Sequence, residues 1–367
     1  MARSKYYPKK VYVEAGSRDL SLTKRILKNL PKVPIEIISR PQELIEKVKA
    51  LKDPVEDGKR HLLLTRQKGG FIKPCPCTPQ YIGCNYYIIN LDLNCPLDCS
   101  YCILQTYLTN PLITIHVNVK DLWKQLDIFL HKKKHRALRI GTGELGDSLA
   151  LDHITENSRD LVSYFRRKKN VYFELKTKTT NIENILKVEP ARNIVISWSL
   201  NSHKIAQEDE KGAPSVDERI DAARRVLDKG FWLGLHFDPI IRYSGWADDY
   251  KEVIKKLLKT VDPSRIAWIS LGSLRFPPPL KPIIKKRFPT TKIIYDEFIQ
   301  GKDGKIRYFK PLRFELYSEI AGFIKKYGGS EIPIYLCMES GEIWERTLGW
   351  KPQGKEQVES YLSFPLD

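Results

Sequence analysis

The sequence predicts an α/β protein built around parallel strands. Six apolar, strand-like runs recur at residues 86–93, 138–141, 171–175, 194–199, 232–237 and 266–271. Amphipathic helical patterns lie between them, at 121–131, 157–168, 215–229 and 249–260, and a shorter strand and helix alternation precedes them all. Strands joined through helices run parallel, because antiparallel neighbours need only a tight turn. Periodicity alone leaves a barrel and an open doubly wound sheet both standing.

At the amino end, residues 10–14, the amphipathic 20–30, the apolar 35–38 and the stretch 41–51 alternate as a small α/β unit. Pro41 falls where the first turn of a helix tolerates proline, and Asp53, Pro54 and Gly58 break the chain before the apolar run 61–65. Gly69 and Gly70 then open an irregular stretch. In the repeating region Gly230 is placed to cap the helix at 215–229. After Lys292 the pattern changes: 293–300 and 305–309 flank Gly301-Lys302-Asp303-Gly304, whose Asp-Gly pair suits the positive φ angles of a hairpin turn. Residues 313–350 add a helix up to Tyr327 and a buried strand near 332–337. The expected division is 1–85 for the amino-terminal α/β domain, 86–290 for the repeating region, and 291–367 for a hairpin and helix/strand extension.

The 367 residues, 42% hydrophobic and 29% charged, exclude a disordered chain and allow a large core. No apolar run approaches the roughly 20 residues of a membrane span, and residues 1–10 are charged without an apolar signal core, so a cytoplasmic protein with no membrane partner is expected. Lysine and arginine number 62 against 44 acids, a net charge of +18. That excess fits a polyanionic partner such as nucleic acid, and also a merely basic surface. Seven cysteines, an odd number without an export signal, argue for metal or redox chemistry over a disulfide framework.

Cys95, Cys99 and Cys102 stand in a C-x3-C-x2-C pattern directly after a strand-like run. A short loop with that spacing can wrap three corners of a cubane cluster and leave one iron for a chelating ligand. Zinc would normally want a fourth local Cys or His, absent here. With an aromatic, Tyr101, just before the last cysteine, the pattern resembles the radical S-adenosylmethionine superfamily, which binds a 4Fe-4S cluster this way. Gly141-Thr142-Gly143-Glu144, after the next strand, resembles that superfamily's motif for the cofactor's amino group. Its glycines allow close backbone approach, and its carboxylate lies at a strand's carboxyl end.

Read in order, Cys99-Ser100-Tyr101-Cys102-Ile103-Leu104-Gln105-Thr106, Leu151-Asp152-His153-Ile154-Thr155, Thr177-Lys178, Trp198-Ser199-Leu200-Asn201-Ser202, Asp238-Pro239-Ile240-Ile241-Arg242 and Gly245-Trp246 resemble the spore photoproduct lyase family. Arg275-Phe276, Arg287-Phe288-Pro289 and Asp296-Glu297 continue the similarity, over roughly residues 90–297. The resemblance implies a partial (β/α)6 barrel of the TIM type, a 4Fe-4S cluster, S-adenosylmethionine, and reversal of a methylene-bridged thymine dimer in DNA through a 5′-deoxyadenosyl radical. It implies an electron donor such as flavodoxin or ferredoxin. It places Glu144, Lys178, Ser199 and Asn201 at cofactor contacts, with Tyr101 against the cofactor. A lysine can pair with the cofactor's carboxylate, and hydroxyl and amide groups suit its ribose and methionine atoms.

The sequence departs from the family at the hydrogen-atom donor. Glu144 stands at the position of the usual donor cysteine, and Ile103 where a tyrosine follows the last cluster cysteine. Cys75, Cys77 and Cys84 lie just upstream, and Cys337 in the terminal strand. Cys77 or Cys75, held between prolines and relayed through Tyr101, can replace the missing donor. Alternatively Cys75, Cys77, Cys84 and Cys337 ligate an auxiliary cluster. A plain structural role also stands, above all for Cys337 between Leu336 and Met338.

Basic runs at 132–136 and 166–169 read as solvated helix faces. In the hairpin, Lys305, Arg307 and Lys310 with Tyr308 mix phosphate-binding cations with a stacking ring on a turn, a combination suited to nucleic acid. Arg242 and Arg275, at predicted strand ends, can hold lesion phosphates or carbonyls, or pair with an acid. Two rival functions remain open: a radical enzyme modifying RNA or another substrate, and a non-catalytic nucleic-acid-binding metalloprotein.

Overall fold

The computed structural model describes residues 5–364, so the charged segment 1–10 is described only from its fifth residue. The six apolar runs form consecutive parallel strands. They are β5 (Tyr86–Ile89), β9 (Leu138–Thr142), β10 (Val171–Thr177), β11 (Ile194–Ser199), β13 (Trp232–Ile240) and β14 (Ile266–Ser273), numbered by order in the chain and adjacent in that order. An antiparallel strand, β4 (Ile72–Pro74), edges the sheet beside β5. At the other edge β18 (Ile334–Leu336) adds a further parallel strand to β14, making an eight-stranded sheet.

Every residue of β9, β11 and β14 is buried, as expected of central strands of a parallel sheet covered on both faces. The covering helices include Val119–Lys132, Asn157–Phe165, Val216–Lys229 and Trp246–Thr260. Val216–Lys229 starts where Ser215 and Glu218 form a reciprocal capping box and stops where Gly230 takes φ 111°, a left-handed cap that a Cβ would strain. The fold is therefore α/β, and the sheet is open at its two edges.

A second sheet lies at the amino end, in the order β2 (Ile35–Ile38), β1 (Lys10–Glu14), β3 (His61–Thr65), β8 (Ile113–His116), β6 (Asp92–Leu93). The apolar run at 86–93 is thus split between sheets: Tyr86–Ile89 stays in the large one, and Asp92–Leu93 crosses to pair antiparallel with β8. Residues 113–116, which the sequence reading did not single out, form a fully buried strand between β3 and β6. The two sheets therefore share chain on both sides of residue 85 and are not joined at a single linker.

Past the large sheet, β16 (Phe298–Gln300) and β17 (Ile306–Tyr308) form the expected hairpin, with Gly304 at φ 75° in the turn. It has a third strand, β15 (Arg275–Phe276), paired with β17, so the hairpin is anchored to the end of β14. The helix Lys310–Gly328 then packs on Trp246–Thr260.

Candidate active site at the carboxyl ends of the parallel strands

The cysteine loop follows β5 and is fixed at many points. Asn94, at φ 70°, accepts the Cys95 N–H on its Oδ1 at 2.9 Å and donates to Pro111 O at 2.7 Å. β7 (Asp98–Cys99) pairs antiparallel with β12 (Glu210–Lys211), and Ser100 N–H donates to Asp209 O. The Gln105 amide donates to Ser100 O at 3.0 Å. Lys59, from the amino-terminal unit, reaches in to donate to Leu97 O at 2.5 Å and to Asp98 at 2.9 Å. Asp98 also takes Arg287, which in turn holds Asp53. Burial works against the Lys59 charge, but the Asp98 carboxylate beside it favours it, and the net shift is upward.

Cys99 is buried, Cys95 and Cys102 are half-buried, and all three are free. Burial pushes the Cys99 thiol up to about 12, partly offset by Lys178, so a metal centre must displace its proton. Among the described residues, no three His, Cys, Asp or Glu side chains are arranged to hold one metal ion. Three thiols on eight tightly tied residues, with Lys59 behind them, fit the corners of a cubane cluster.

The predicted cofactor residues collect at neighbouring strand ends. Glu144 follows β9 on a turn in which Gly143 has φ 90°. A Cβ on Gly143 would stand 2.8 Å from both Lys176 O and Ser148 Oγ. Asp147 ties this turn to β10: its carboxylate accepts from the Leu149 and Ala150 N–H groups, the Thr177 hydroxyl and the Lys178 N–H. Lys178 Nζ lies 5.7 Å from the Tyr101 ring centre and 3.7 Å from Glu210. Ser199 is buried, and its carbonyl accepts from Arg219 at 3.1 Å. Asn201 is buried too, donating to Pro239 O at 3.1 Å and accepting the Tyr250 hydroxyl on its Oδ1.

Glu210 and Arg219 were not found from sequence. Both are fully buried and form an ion pair at 2.5 Å, and Glu210 also accepts the Tyr101 hydroxyl. Glu210 sits in a run of charged residues, 208–211, and nothing in that run distinguishes the buried Asp209 and Glu210 from the exposed Glu208 and Lys211. Asp147 was also missed.

The upstream cysteines lie beside the same end of the sheet. The Cys77 Sγ turns towards Thr78 O and Tyr81 O, at 3.8 and 4.0 Å, while the Tyr101 hydroxyl is committed to Glu210. The relay from Cys77 through Tyr101 is therefore corrected: the tyrosine's hydroxyl is directed to a buried carboxylate.

The hairpin reading also needs correction at two residues. Arg307 is buried, paired with Asp303 at 2.7 Å and laid over the Tyr81 ring. Tyr308 is fully buried, stacked on Phe298, with its hydroxyl accepting from Arg242 N–H. Neither offers its head group to a nucleic acid, because the hairpin lies on the body of the protein. Arg275 is bound to Asp238 through both terminal nitrogens at 3.1 Å. Arg242 pairs with Asp296 at 3.1 Å but remains one-third exposed, and the Lys305 side chain keeps 17% of its surface open.

A family model described as spore photoproduct lyase matches residues 6–317. The chain belongs to the spore photoproduct lyase family. Among curated spore photoproduct lyases, that of a Geobacillus species is 30% identical over 215 residues, 58% of this chain and 63% of that protein. The Bacillus subtilis protein is 27% identical over 214 residues, with the same shares of 58% and 63%. The alignment thus spans somewhat under two thirds of these relatives. A solved spore photoproduct lyase complexed with dinucleoside spore photoproduct superposes with a TM-score of 0.78 at 22% identity, over 91% of this chain and 100% of the other. A mutant with bound AdoMet and dinucleoside spore photoproduct does so with 0.78, at 22% identity, over 92% and 100%. At that identity the solved structures of the spore photoproduct lyase family establish the shared fold, an α/β protein with a curled half-barrel sheet. Among the described residues, no helix is long and apolar enough to cross a membrane.

Proposed function

We propose that this protein is a radical S-adenosylmethionine lyase that reverses the methylene-bridged thymine dimer of DNA to two thymines. One juxtaposition carries the reading. The loop of Cys95, Cys99 and Cys102 and the polar cradle of Glu144, Lys178, Ser199 and Asn201 lie at the carboxyl ends of one parallel sheet, coupled through Tyr101 and Glu210. Strands β5, β9, β10, β11, β13 and β14 act in it as a partial (β/α)6 barrel, with the amino-terminal unit and the hairpin extension around it. Relatives of the same family are named for this reaction, and one solved relative carries both AdoMet and the dinucleoside lesion.

In this reading Cys95, Cys99 and Cys102 hold a 4Fe-4S cluster, and Lys178 and Glu144 take the carboxylate and amino ends of S-adenosylmethionine. When reduced, such a centre would supply the electron that makes S-adenosylmethionine a source of a hydrogen-abstracting 5′-deoxyadenosyl group. Everything else is asked of this chain's own groups. Lys178, 15% exposed and shared with Glu210, fixes a carboxylate in a site largely closed to water. Arg242 and Lys305 keep the access needed to hold DNA phosphates. Cys77 returns the hydrogen atom to the product. Burial raises its pKa, so at neutral pH it keeps the S–H that a hydrogen-atom donor needs, and Cys75 stands behind it as a deeper thiol. The protein works in the cytoplasm with a soluble one-electron donor such as flavodoxin or ferredoxin.

The loss of the usual donor thiol at Glu144 favours one other reading, a radical enzyme acting on RNA or another substrate. Anaerobic, reduced, reconstituted protein separates the two. Lesion-bearing DNA should stimulate 5′-deoxyadenosine formation over undamaged DNA and RNA. Stimulation by RNA alone would favour the second reading.

A further inference from the structure

Polar side chains line the inner face of the large sheet at two successive levels. At the lower one, Glu174 of β10 accepts from Ser197 Oγ of β11 at 2.5 Å and from Trp268 Nε1 of β14 at 3.1 Å, and meets His236 Nε2 of β13 at 2.8 Å. Side chains alternate along a strand, so Lys176 and Asp238, each two residues further on, stand on the same face one level nearer the mouth. The contact of Glu174 with His236 fixes the stagger of β10 against β13, and the same stagger brings Lys176 alongside Asp238. Ser199, assigned to the cofactor, is two residues beyond Ser197 on β11, the strand between them. Gly272, four residues beyond Trp268, confirms where the acid points: a Cβ there would stand 2.6 Å from Asp238 Oδ1.

Arg275 grips Asp238 with both terminal nitrogens at 3.1 Å, and those nitrogens also donate to Ser273 O at 3.2 Å and approach the Cys337 Sγ at 3.4 Å. The guanidinium is thereby committed as an anchor. Each Asp238 oxygen has taken one hydrogen bond from it and can accept another, and 24% of the acid's side-chain surface is exposed. Burial works against the Asp238 charge, but Arg275 and then Lys176 favour it, and the net shift is downward. Lys176, 28% exposed, has its ion-pair partner Glu144 at 3.9 Å, beyond hydrogen-bond distance, so its N–H groups remain to be given.

An acceptor that cannot donate, beside a donor that cannot accept, recognises one kind of base edge. The imide edge of thymine runs carbonyl, N3–H, carbonyl, and the methylene bridge of the lesion leaves it intact. Its N3–H calls for an acceptor and its carbonyls for donors, whereas cytosine places an acceptor nitrogen at the same point, which the carboxylate would repel. We propose that Asp238, anchored by Arg275 and flanked by Lys176, accepts the imide N3–H of one thymine of the lesion and so selects thymine over cytosine. The assignment rests on the lyase reading, which supplies the base.

The test is calorimetric binding of dinucleoside spore photoproduct to the reconstituted, unreduced protein with S-adenosylmethionine present, using the lesion as it is and with N3 methylated on one thymine or the other. Methylation of one of the two should weaken binding to the unmutated protein about 10- to 100-fold, the loss of a hydrogen bond to a charged acceptor. Asp238→Ala should weaken binding of the unmethylated lesion comparably, and the same methylation should then cost little more. Equal binding of all three ligands by the unmutated protein overturns the assignment, and that comparison needs no variant to fold. A methylation penalty undiminished in Asp238→Ala, or a variant that loses S-adenosylmethionine affinity while its lesion affinity stands, also overturns it. No binding of any of the three ligands by the unmutated protein would overturn the lyase reading itself, and this assignment with it.

Discussion

The Tyr101 hydroxyl donates to the Glu210 carboxylate, which also pairs with Arg219 at 2.5 Å and lies 3.7 Å from Lys178. One fully buried acid therefore joins the ring beside the cluster loop, the lysine assigned to the cofactor carboxylate, and the helix of Arg219. β12 delivers Glu210 by pairing with Asp98 and Cys99, so the same short ladder that shapes the loop positions its carboxylate.

Glu210→Gln should damage both stability and cofactor binding. The Arg219 guanidinium, with no exposed surface, would keep its charge and lose its counter-ion, a loss of about 3–5 kcal/mol for a broken buried pair. Denaturant unfolding should show that fall. S-adenosylmethionine affinity, measured by calorimetry on folded protein, should drop as Lys178 loses its anchor. An unchanged unfolding midpoint would contradict the central place given to this acid.

Asp98 takes both Lys59 and Arg287 and so ties the cluster loop to the amino-terminal unit and to the helix Leu280–Arg287. Asp98→Asn should leave the fold intact but let a chelator strip iron from the Cys95, Cys99 and Cys102 loop several-fold faster than from the parent. Equal stripping rates would show that the loop is rigid without these ion pairs.

Cys77→Ala separates donation from cluster chemistry. Iron content and 5′-deoxyadenosine formation should stay near the parent level, while lesion-derived side products replace part of the restored thymine. The same product distribution as the parent would remove Cys77 from the mechanism.

Asp92 gives a pH signature. Burial, with Asp147 nearby, raises its pKa to about 7, and its Oδ2 would stand 2.6 Å from a Cβ on Gly146. Because the folded-state value lies above the unfolded one, the folded chain binds the extra proton between about pH 4 and 7, and stability falls as pH rises through that window. Asp92→Asn, which imitates the protonated form, should flatten this dependence and raise the melting temperature more at pH 8 than at pH 5. A parallel pH profile in parent and variant would place the proton elsewhere.

The six strands of the large sheet are legible because they are buried on both faces, which leaves near-continuous apolar runs. Capping marks such as Ser215, Glu218 and Gly230 are legible because they act locally. Ile113–His116 is not: four residues give no period to count, and its identity as a strand rests on β3 and β6 from elsewhere in the chain. Arg307 and Tyr308 mislead for a related reason. Cations and a ring beside an Asp-Gly turn read as a protruding binding element, yet Phe298, Asp303 and Tyr81 bury them. The cluster cysteines and the turn of Glu144 are legible from spacing. Glu210 and Arg219 are not, since only tertiary packing distinguishes a buried ion pair from the surface charges around it.

The most direct measurement is product analysis after the reduced, reconstituted protein meets S-adenosylmethionine and DNA carrying the methylene-bridged thymine dimer. Chromatography should show restored thymine together with 5′-deoxyadenosine. 5′-Deoxyadenosine without restored thymine, from protein shown to hold its cluster, would contradict lesion reversal as the function of this site.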